Sequence, residues 1–449
     1  MDVHANHECL TDHVALFQTL PILTSEEESH FIKLNPVTSL QLEAPMLYEF
    51  EIPENYFADL TQMYLYLKCK IVDSDHKAIA KPTGDDAVPD KAKVYPISYF
   101  ANTCFSNVEL FLNNTQIGSS NNLYPYRAYI ESALSFDKST KDTQLSMGFY
   151  YPDTKKIDLK DIGDDLTKAT CPNTGAKKRW ELTQYSKPFE TFSKLHLDLC
   201  AQNKYVLNRT NMKIKCYRAT NNFALMAKSD DAKYKVVFEE AFIYLRIVRL
   251  RESLRLAIES NLMKMPAKYP MKKVETRFFT HSSNSSNLSE PNLYTGTLPT
   301  RVVIGLVSTL ALDGKNQLSP FNFRHCNMQN IELRVNGRAL PTPDGINVDM
   351  DNKLYAQAYA SVFLGSGAFF ENNSPMTYEE YCEGNFLIMF DLTEDFNNEL
   401  THFHSPNSGT LSLKIRLSEA IQESISIICM FEHEVVMNVD SDRNYWVQE

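Results

Sequence analysis

The chain has 449 residues and a formal net charge of −11, with 43% apolar and 22% charged residues. At roughly 100–200 residues per domain, that is material for two or more well-filled cores. The acidic average argues against a surface that grips phosphates all round. The 14 glycines exclude collagen-like designs, and no stretch of about 18 apolar residues offers a membrane-spanning helix.

Residues 1–29 read as an N-terminal tail. They lack the apolar segment of a secretory signal. His4, His7, Cys9 and His13 lie there among acidic residues, a cluster read as part of a flexible terminus rather than as a metal site. From residue 30 to 250 strand signals dominate. Met63, Leu65, Leu67, Cys69 and Ile71 alternate with Tyr64, Tyr66, Lys68 and Lys70. Leu195, Leu197 and Leu199 alternate with His196 and Asp198, and Met212, Ile214 and Cys216 with Lys213 and Lys215. Period-2 patterning puts one set inward and the other outward. The 26 Phe and 23 Tyr suit such pleated surfaces. Ser74 to Lys93 and Gly163 to Gly175 are expected to be loops, and Tyr124 to Leu134 a short helix.

Leu254, Ala257, Ile258, Leu262 and Met265 recur at helical spacing before Pro266, which predicts a linker helix over 251–267. Strand signals resume over 268–440, ending with Leu411, Leu413, Ile415 and Leu417 alternating with polar residues. Ser282 to Pro291 is expected to be a loop, Leu354 to Leu364 a short helix, and 441–449 a C-terminal tail. The nine cysteines include no CxxC pair, and several fall inside strand-like runs, so they read as buried reduced thiols.

The two halves repeat each other. Asn107-Val108-Glu109-Leu110-Phe111-Leu112-Asn113-Asn114 matches Asn330-Ile331-Glu332-Leu333-Arg334-Val335-Asn336-Gly337 at an offset of 223 residues. Asn-Gly is the strongest short hairpin signal, because a type I′ turn needs two positive φ angles, and Asn tolerates that region better than other side chains. In the same order, Leu47-Tyr48 matches Leu293-Tyr294, Tyr124 matches Tyr355, Leu197-Asp198-Leu199 matches Phe390-Asp391-Leu392, Met212 to Arg218 matches Leu411 to Leu417, and Val236 to Ile247 resembles Ile427 to Val439. The expectation is an all-β chain of two tandem eight-stranded antiparallel jelly rolls, with short helices in loops and at the joint.

Candidate chemistry is sparse. His402-Phe403-His404 sets two imidazoles on one side of an extended segment, a common start for a metal site. The sequence fixes no third ligand, and the Asn, Ser and Pro around it read as an exposed loop. Asp198 and Asp391, at matching repeat positions, read as sharing a structural role. Lys177-Lys178-Arg179-Trp180 and the group Arg246, Arg249, Arg251, Arg255, Lys268, Lys272 and Lys273 suit acidic neighbours across a subunit contact better than nucleic acid. No nucleophile elbow, P-loop or dinucleotide fingerprint occurs. No catalytic, cofactor-binding or metal-ligating residue and no cofactor is assigned, and the chain does not read as an enzyme.

Several segments resemble the double jelly-roll major capsid proteins of Maverick/Polinton elements and adintoviruses. They are Tyr124-Pro125-Tyr126-Arg127-Ala128-Tyr129, Lys194-Leu195-His196-Leu197-Asp198-Leu199, Ala267-Lys268-Tyr269-Pro270, Leu298-Pro299-Thr300-Arg301-Val302-Val303-Ile304-Gly305, Pro320-Phe321-Asn322-Phe323-Arg324-His325 and Phe390-Asp391-Leu392-Thr393. The resemblance implies a homotrimer that presents six jelly rolls as a pseudo-hexagonal block of an icosahedral shell around double-stranded DNA. It implies self-contacts between capsomers, a minor or penton capsid protein as further partner, only indirect contact with DNA, and a place in the virion capsid after assembly in cytoplasm or nucleus. Two other readings stay open: a metal-dependent enzyme on paired jelly rolls, prompted by His402 and His404, and a glycan- or protein-binding β-sandwich module.

Overall fold

A computed structural model describes residues 22–41, 44–82, 88–118, 121–155, 158–229, 233–366, 375–396 and 402–448. The His4, His7, Cys9 and His13 cluster lies outside them. The first half contributes β1 (Glu26–Leu34), β2 (Met46–Glu51), β3 (Tyr56–Asp73), β4 (Val94–Pro96), β5 (Phe105–Leu112), β6 (Thr115–Gly118), β7 (Phe189–Lys194), β8 (Asn211–Arg218), β9 (Leu225–Ala227) and β10 (Tyr234–Leu250). The second contributes β11 (Ala267–His281), β12 (Asn287–Thr297), β13 (Arg301–Ser308), β14 (Met328–Val335), β15 (Arg338–Leu340), β16 (Ile346–Asn347), β17 (Leu387–Asp391), β18 (Ser408–Leu417), β19 (Ile425–Val439) and β20 (Tyr445–Gln448).

The repeat is a repeat of topology. One sheet of the first unit runs β1-β10-β3-β7 and the other β2-β8-β5-β6. The second unit runs β11-β19-β13-β17 and β12-β18-β14-β15 in the same spatial order. All these pairings are antiparallel. Each unit is therefore a jelly roll of two sheets with a four-strand path, to which β20 and β16 add a fifth strand each in the second unit, and the chain is a double jelly roll. The matched hairpins form alike. Asn113 and Asn114 have φ of 46° and 68°, Asn336 and Gly337 of 49° and 87°. The Asn113 side chain accepts from the Asn211 amide at 2.7 Å, and that of Asn336 from the Thr410 amide at 2.9 Å.

Helix Tyr124–Ser135 follows the first hairpin and helix Ala356–Ser366 the second, and helix Glu252–Leu262 joins the units. The described cysteines are all free thiols, and Cys69, Cys216 and Cys429 are buried in strands. No helix among the described residues is long and apolar enough to cross a membrane.

Several expectations need correction. Leu195 to Leu199 is not a strand: pairing with β3 stops at Lys194 opposite Tyr64, and a 3-10 turn covers Asp198–Ala201. The three leucines are buried all the same. Alternation reported their burial, but no neighbour continues the ladder. Only residues 282–286 of Ser282 to Pro291 connect β11 to β12, and the rest is strand. Gly163 to Gly175 contains a 3-10 turn and opens helix Thr174–Thr183. The expected tails are also shorter. Glu26, inside the proposed N-terminal tail, starts β1 and holds Arg246 at 3.2 Å. Residues 445–448 of the proposed C-terminal tail form β20 on β19. Before it, the Arg443 guanidinium donates to Asn208 Oδ1 at 2.7 Å and pairs with Glu259 of the joint helix at 2.6 Å, which ties this end to the first unit.

Candidate assembly surface

The two units do not sit side by side as equals. Sheet β11-β19-β13-β17 is buried on both faces. Val302, Ile304, Ile427, Cys429 and Phe431 point into the core of the second unit, and the alternate residues Val303, Val307, Ile428, Met430 and Met437 join the core of the first. The cover comes from the long excursion between β6 and β7. Tyr129, on helix Tyr124–Ser135, stacks on Phe321 with centroids 4.2 Å apart, and Tyr126 meets the same ring edge-on at 5.6 Å. Within the second unit Phe323 lies against the same sheet, so that a Cβ on Gly305 would sit 2.6 Å from it.

Polar groups lock this seam. Arg127 is buried and pairs with Asp198 at 2.7 Å and with Glu131 at 2.8 Å. Asp198 also accepts from the Val274 amide of β11 at 3.2 Å, so it bridges the units. Burial raises the Asp198 pKa despite Arg127. Asp391 does something else: it accepts from the amide and hydroxyl of Thr393 at 2.8 and 2.6 Å, closing its own turn. The expectation of a shared role for Asp198 and Asp391 is thus wrong. Their sequence match ignored that β7 ends before Asp198.

Beside Arg127, His196 Nδ1 meets Glu131 at 2.6 Å and His196 Nε2 lies 3.3 Å from Ser132 Oγ. Serine, imidazole and carboxylate in this order look like a nucleophilic triad. Two facts argue against that use. Ser132 is fully buried. Burial opposes a charge on His196, yet Tyr99 and Glu131 outweigh it and push its pKa up to about 9, so the ring is already protonated and cannot take a proton. Burial likewise works against Glu131, and Arg127 with His196 hold it down at about 2.

Among the described residues, the equivalent outer face in the first unit has no such cover. On sheet β1-β10-β3-β7 the inward residues Leu65, Leu67, Ile243 and Leu245 fill the core. The outward set is Phe31, Tyr64, Tyr66, Phe192, Phe242 and Tyr244, none of which belongs to either core. The rings form one array across four strands. Tyr66 stacks on Phe242 at 4.4 Å, Phe242 meets Tyr244 at 5.0 Å, Tyr64 stacks on Phe192 at 5.1 Å, and Phe31 lies 6.2 Å from Tyr64. Lys33 sits 3.9 Å over Phe242. A rim of ion pairs, Lys70 with Glu239 at 2.9 Å and Arg249 with Glu27 and Glu28 at 3.4 Å each, borders the array. An aromatic centre with a charged rim is the anatomy of a protein–protein interface. Sequence reading saw the alternation of Tyr64 and Tyr66 but had no means of placing Phe31, Phe192 and Phe242 beside them.

Several members of the basic stretches find partners within the chain. Arg179 is buried on helix Thr174–Thr183, donating to the Pro96 carbonyl at 2.9 Å and pairing with Asp153. Trp180 donates to the Ala92 carbonyl at 3.0 Å. Arg246 reaches Asp59 at 2.9 Å, Arg255 reaches Glu252 at 3.8 Å, and Lys272 reaches Glu432 at 4.0 Å. His402 and His404 come together beside Asp395, which the sequence reading did not foresee as a neighbour.

Solved structures similar to this fold include viral proteins. The fold matches a chain of the Sputnik virophage with a TM-score of 0.68 at 10% identity, covering 98% of this chain and 92% of that one. It matches the Faustovirus major capsid protein with a TM-score of 0.56 at 7% identity, over 95% and 92% of the two chains. The mavirus major capsid protein gives 0.53 at 10% identity, over 99% and 94%. At such identities the likeness is one of fold. In sequence, the chain is 24% identical over 343 residues to an uncharacterized protein of Caenorhabditis elegans, 76% of this chain and 77% of that protein. No family model matches.

Proposed function

We propose that this chain is the major capsid protein of a virus or virus-like element of the Maverick/Polinton and adintovirus kind, working as a homotrimer. The observation that carries the proposal is the unequal treatment of two equivalent sheets. In the second unit the outer face is covered by the excursion of the first. In the first unit the same face carries six aromatic rings, and no described residue of its own chain joins them to a core.

The matching excursion of the second unit is the natural cover, supplied by another copy. Its helix Ala356–Ser366 occupies the place of helix Tyr124–Ser135, and Leu354 and Leu364 at its two ends are 63% and 55% exposed. Such a contact is head-to-tail, and head-to-tail contacts close into rings when the rotation permits. Three chains would give six alternating units, a block of hexagonal outline that tiles an icosahedral shell.

On this reading residues 26–250 and 267–448 are the two jelly rolls, joined by helix Glu252–Leu262. Double-stranded DNA is enclosed without being gripped by the basic stretches, and a minor or penton protein closes the vertices. The virion capsid is the place of action. The nematode relative fits an element carried in an animal genome. A metal-dependent enzyme on paired jelly rolls, prompted by His402 and His404, is less well supported, because the solved structures that share this fold include major capsid proteins.

The test is mass photometry and negative-stain microscopy of the full chain beside the double variant Tyr64→Asp/Phe192→Asp. The expected result is a threefold block of hexagonal outline for the parent and monomer for the variant, with unchanged melting. A parent that stays monomeric at micromolar concentration overturns the function. A variant that still trimerises overturns the surface.

A further inference from the structure

We infer that Asp395, His402 and His404 form a binding site for a divalent transition-metal ion of the zinc class, with Glu434 orienting His404. The site lies in the connection between β17 and β18, far in sequence from the aromatic face, and it stands whether or not the chain builds a capsid.

His402 and His404 flank one residue, and their rings come together on one side. Their centroids are 4.8 Å apart. His402 Nε2 is 3.1 Å from Asp395 Oδ2, and His404 Nε2 is 2.9 Å from Asp395 Oδ1. One donor atom from each of the three residues lies within 4.8 Å of the others. Ligands at about 2.0–2.2 Å around a tetrahedral ion stand a little over 3 Å apart, so small side-chain rotations suffice to close on an ion.

The second observation is Glu434. Its side chain is only 5% exposed and comes from β19, on the opposite side of His404. One oxygen meets His404 Nδ1 at 3.0 Å, and the other accepts the His404 backbone amide at 2.9 Å. A carboxylate is an acceptor, so it keeps a proton on Nδ1 and leaves Nε2 as the coordinating atom. A carboxylate behind the ring of a ligating histidine is the usual second partner in zinc sites, fixing both tautomer and orientation.

Two imidazoles and one carboxylate favour zinc and its first-row neighbours over calcium or magnesium, which prefer oxygen sets. His402 and Asp395 are about half exposed, which leaves the fourth position open to water. Binding would displace the Nε2 protons to solvent and pin the connection to β19 through Glu434.

The test uses the full chain, stripped with a chelator and titrated with zinc chloride by calorimetry. The expected result is that the parent binds one more equivalent than the double variant His402→Ala/His404→Ala. That difference isolates the site from any zinc held by His4, His7, Cys9 and His13, which both proteins keep. Glu434→Gln is expected to weaken the same equivalent by roughly 10- to 100-fold. Cobalt should show the intense visible bands of a four-coordinate site in the parent and lose them in the double variant. Identical zinc stoichiometry and affinity in parent and double variant, with both folded by circular dichroism, overturns the site.

Discussion

Replacing Arg127 with methionine tests whether the seam between the units is held by charge. Methionine keeps most of the side-chain volume and removes the guanidinium. Asp198, 3% exposed, loses its partner at 2.7 Å and keeps only the Val274 amide at 3.2 Å. Glu131 loses a contact at 2.8 Å but retains His196 at 2.6 Å. The main loss is therefore one buried carboxylate left without a cation, which costs about 3–5 kcal/mol. For a cooperative unit of this size, 1 kcal/mol corresponds to about 2–4 °C, so the melting temperature should fall by about 10 °C. The pH dependence gives a second reading. Burial already raises the Asp198 pKa, and without Arg127 it rises further. A carboxyl whose folded pKa exceeds its unfolded value destabilises increasingly as pH rises between the two. The variant should therefore recover part of its lost stability, relative to the parent, as pH is lowered from 7 toward 5. Adding Asp198→Asn to Arg127→Met should restore stability at pH 7, because the orphaned charge is gone. Differential scanning calorimetry of the parent and the variants measures all of this. A melting point lowered by less than about 3 °C, or a deficit that does not change with pH, refutes the account.

Two further outcomes follow from local geometry. A Cβ on Gly337 would meet nothing within 4 Å, yet φ there is +87°, so Gly337→Ala should destabilise the second unit by about 1 kcal/mol through backbone strain alone; denaturant melts showing no loss would mean that the turn rearranges freely. His196 has its folded pKa raised to about 9, so its contribution is complete below the ordinary histidine range and is lost as pH climbs toward 9. Melting temperature should decline across that window in the parent and much less in His196→Gln, and parallel curves would show that the Glu131 pairing does not stabilise the fold.

Most of the fold was readable because two independent periodicities agreed. Alternation marked β3, β8 and β18, and the offset of 223 residues marked the hairpins at Asn113 and Asn336, whose positive φ angles only a few residue types adopt. Errors arose where burial and strand pairing part company. Leu195, Leu197 and Leu199 alternate because each is buried, but no neighbouring strand continues there. Arg179 looked like a surface cation because the sequence cannot show Asp153 and the Pro96 carbonyl waiting for it. The assembly surface was half legible. Tyr64 and Tyr66 were assigned to a single outward set, but Phe31, Phe192 and Phe242 come from three other strands, and only the register places them together. The metal candidate was legible as His402 and His404 alone. Asp395 and Glu434 stand too far along the chain for spacing to reveal them.

The covered sheet of the second unit has a kinetic consequence. In the proposed ring of six jelly rolls, every second contact would be the one between helix Tyr124–Ser135 and sheet β11-β19-β13-β17, made within one chain as it folds. Covalent linkage gives that contact a high effective concentration, in the millimolar range for short linkers, independent of how dilute the protein is. Only the remaining three contacts depend on encounter between chains. Assembly order thereby becomes directional: a chain presents one open aromatic face and one free excursion, so each arrival consumes one and supplies the other until the ring closes.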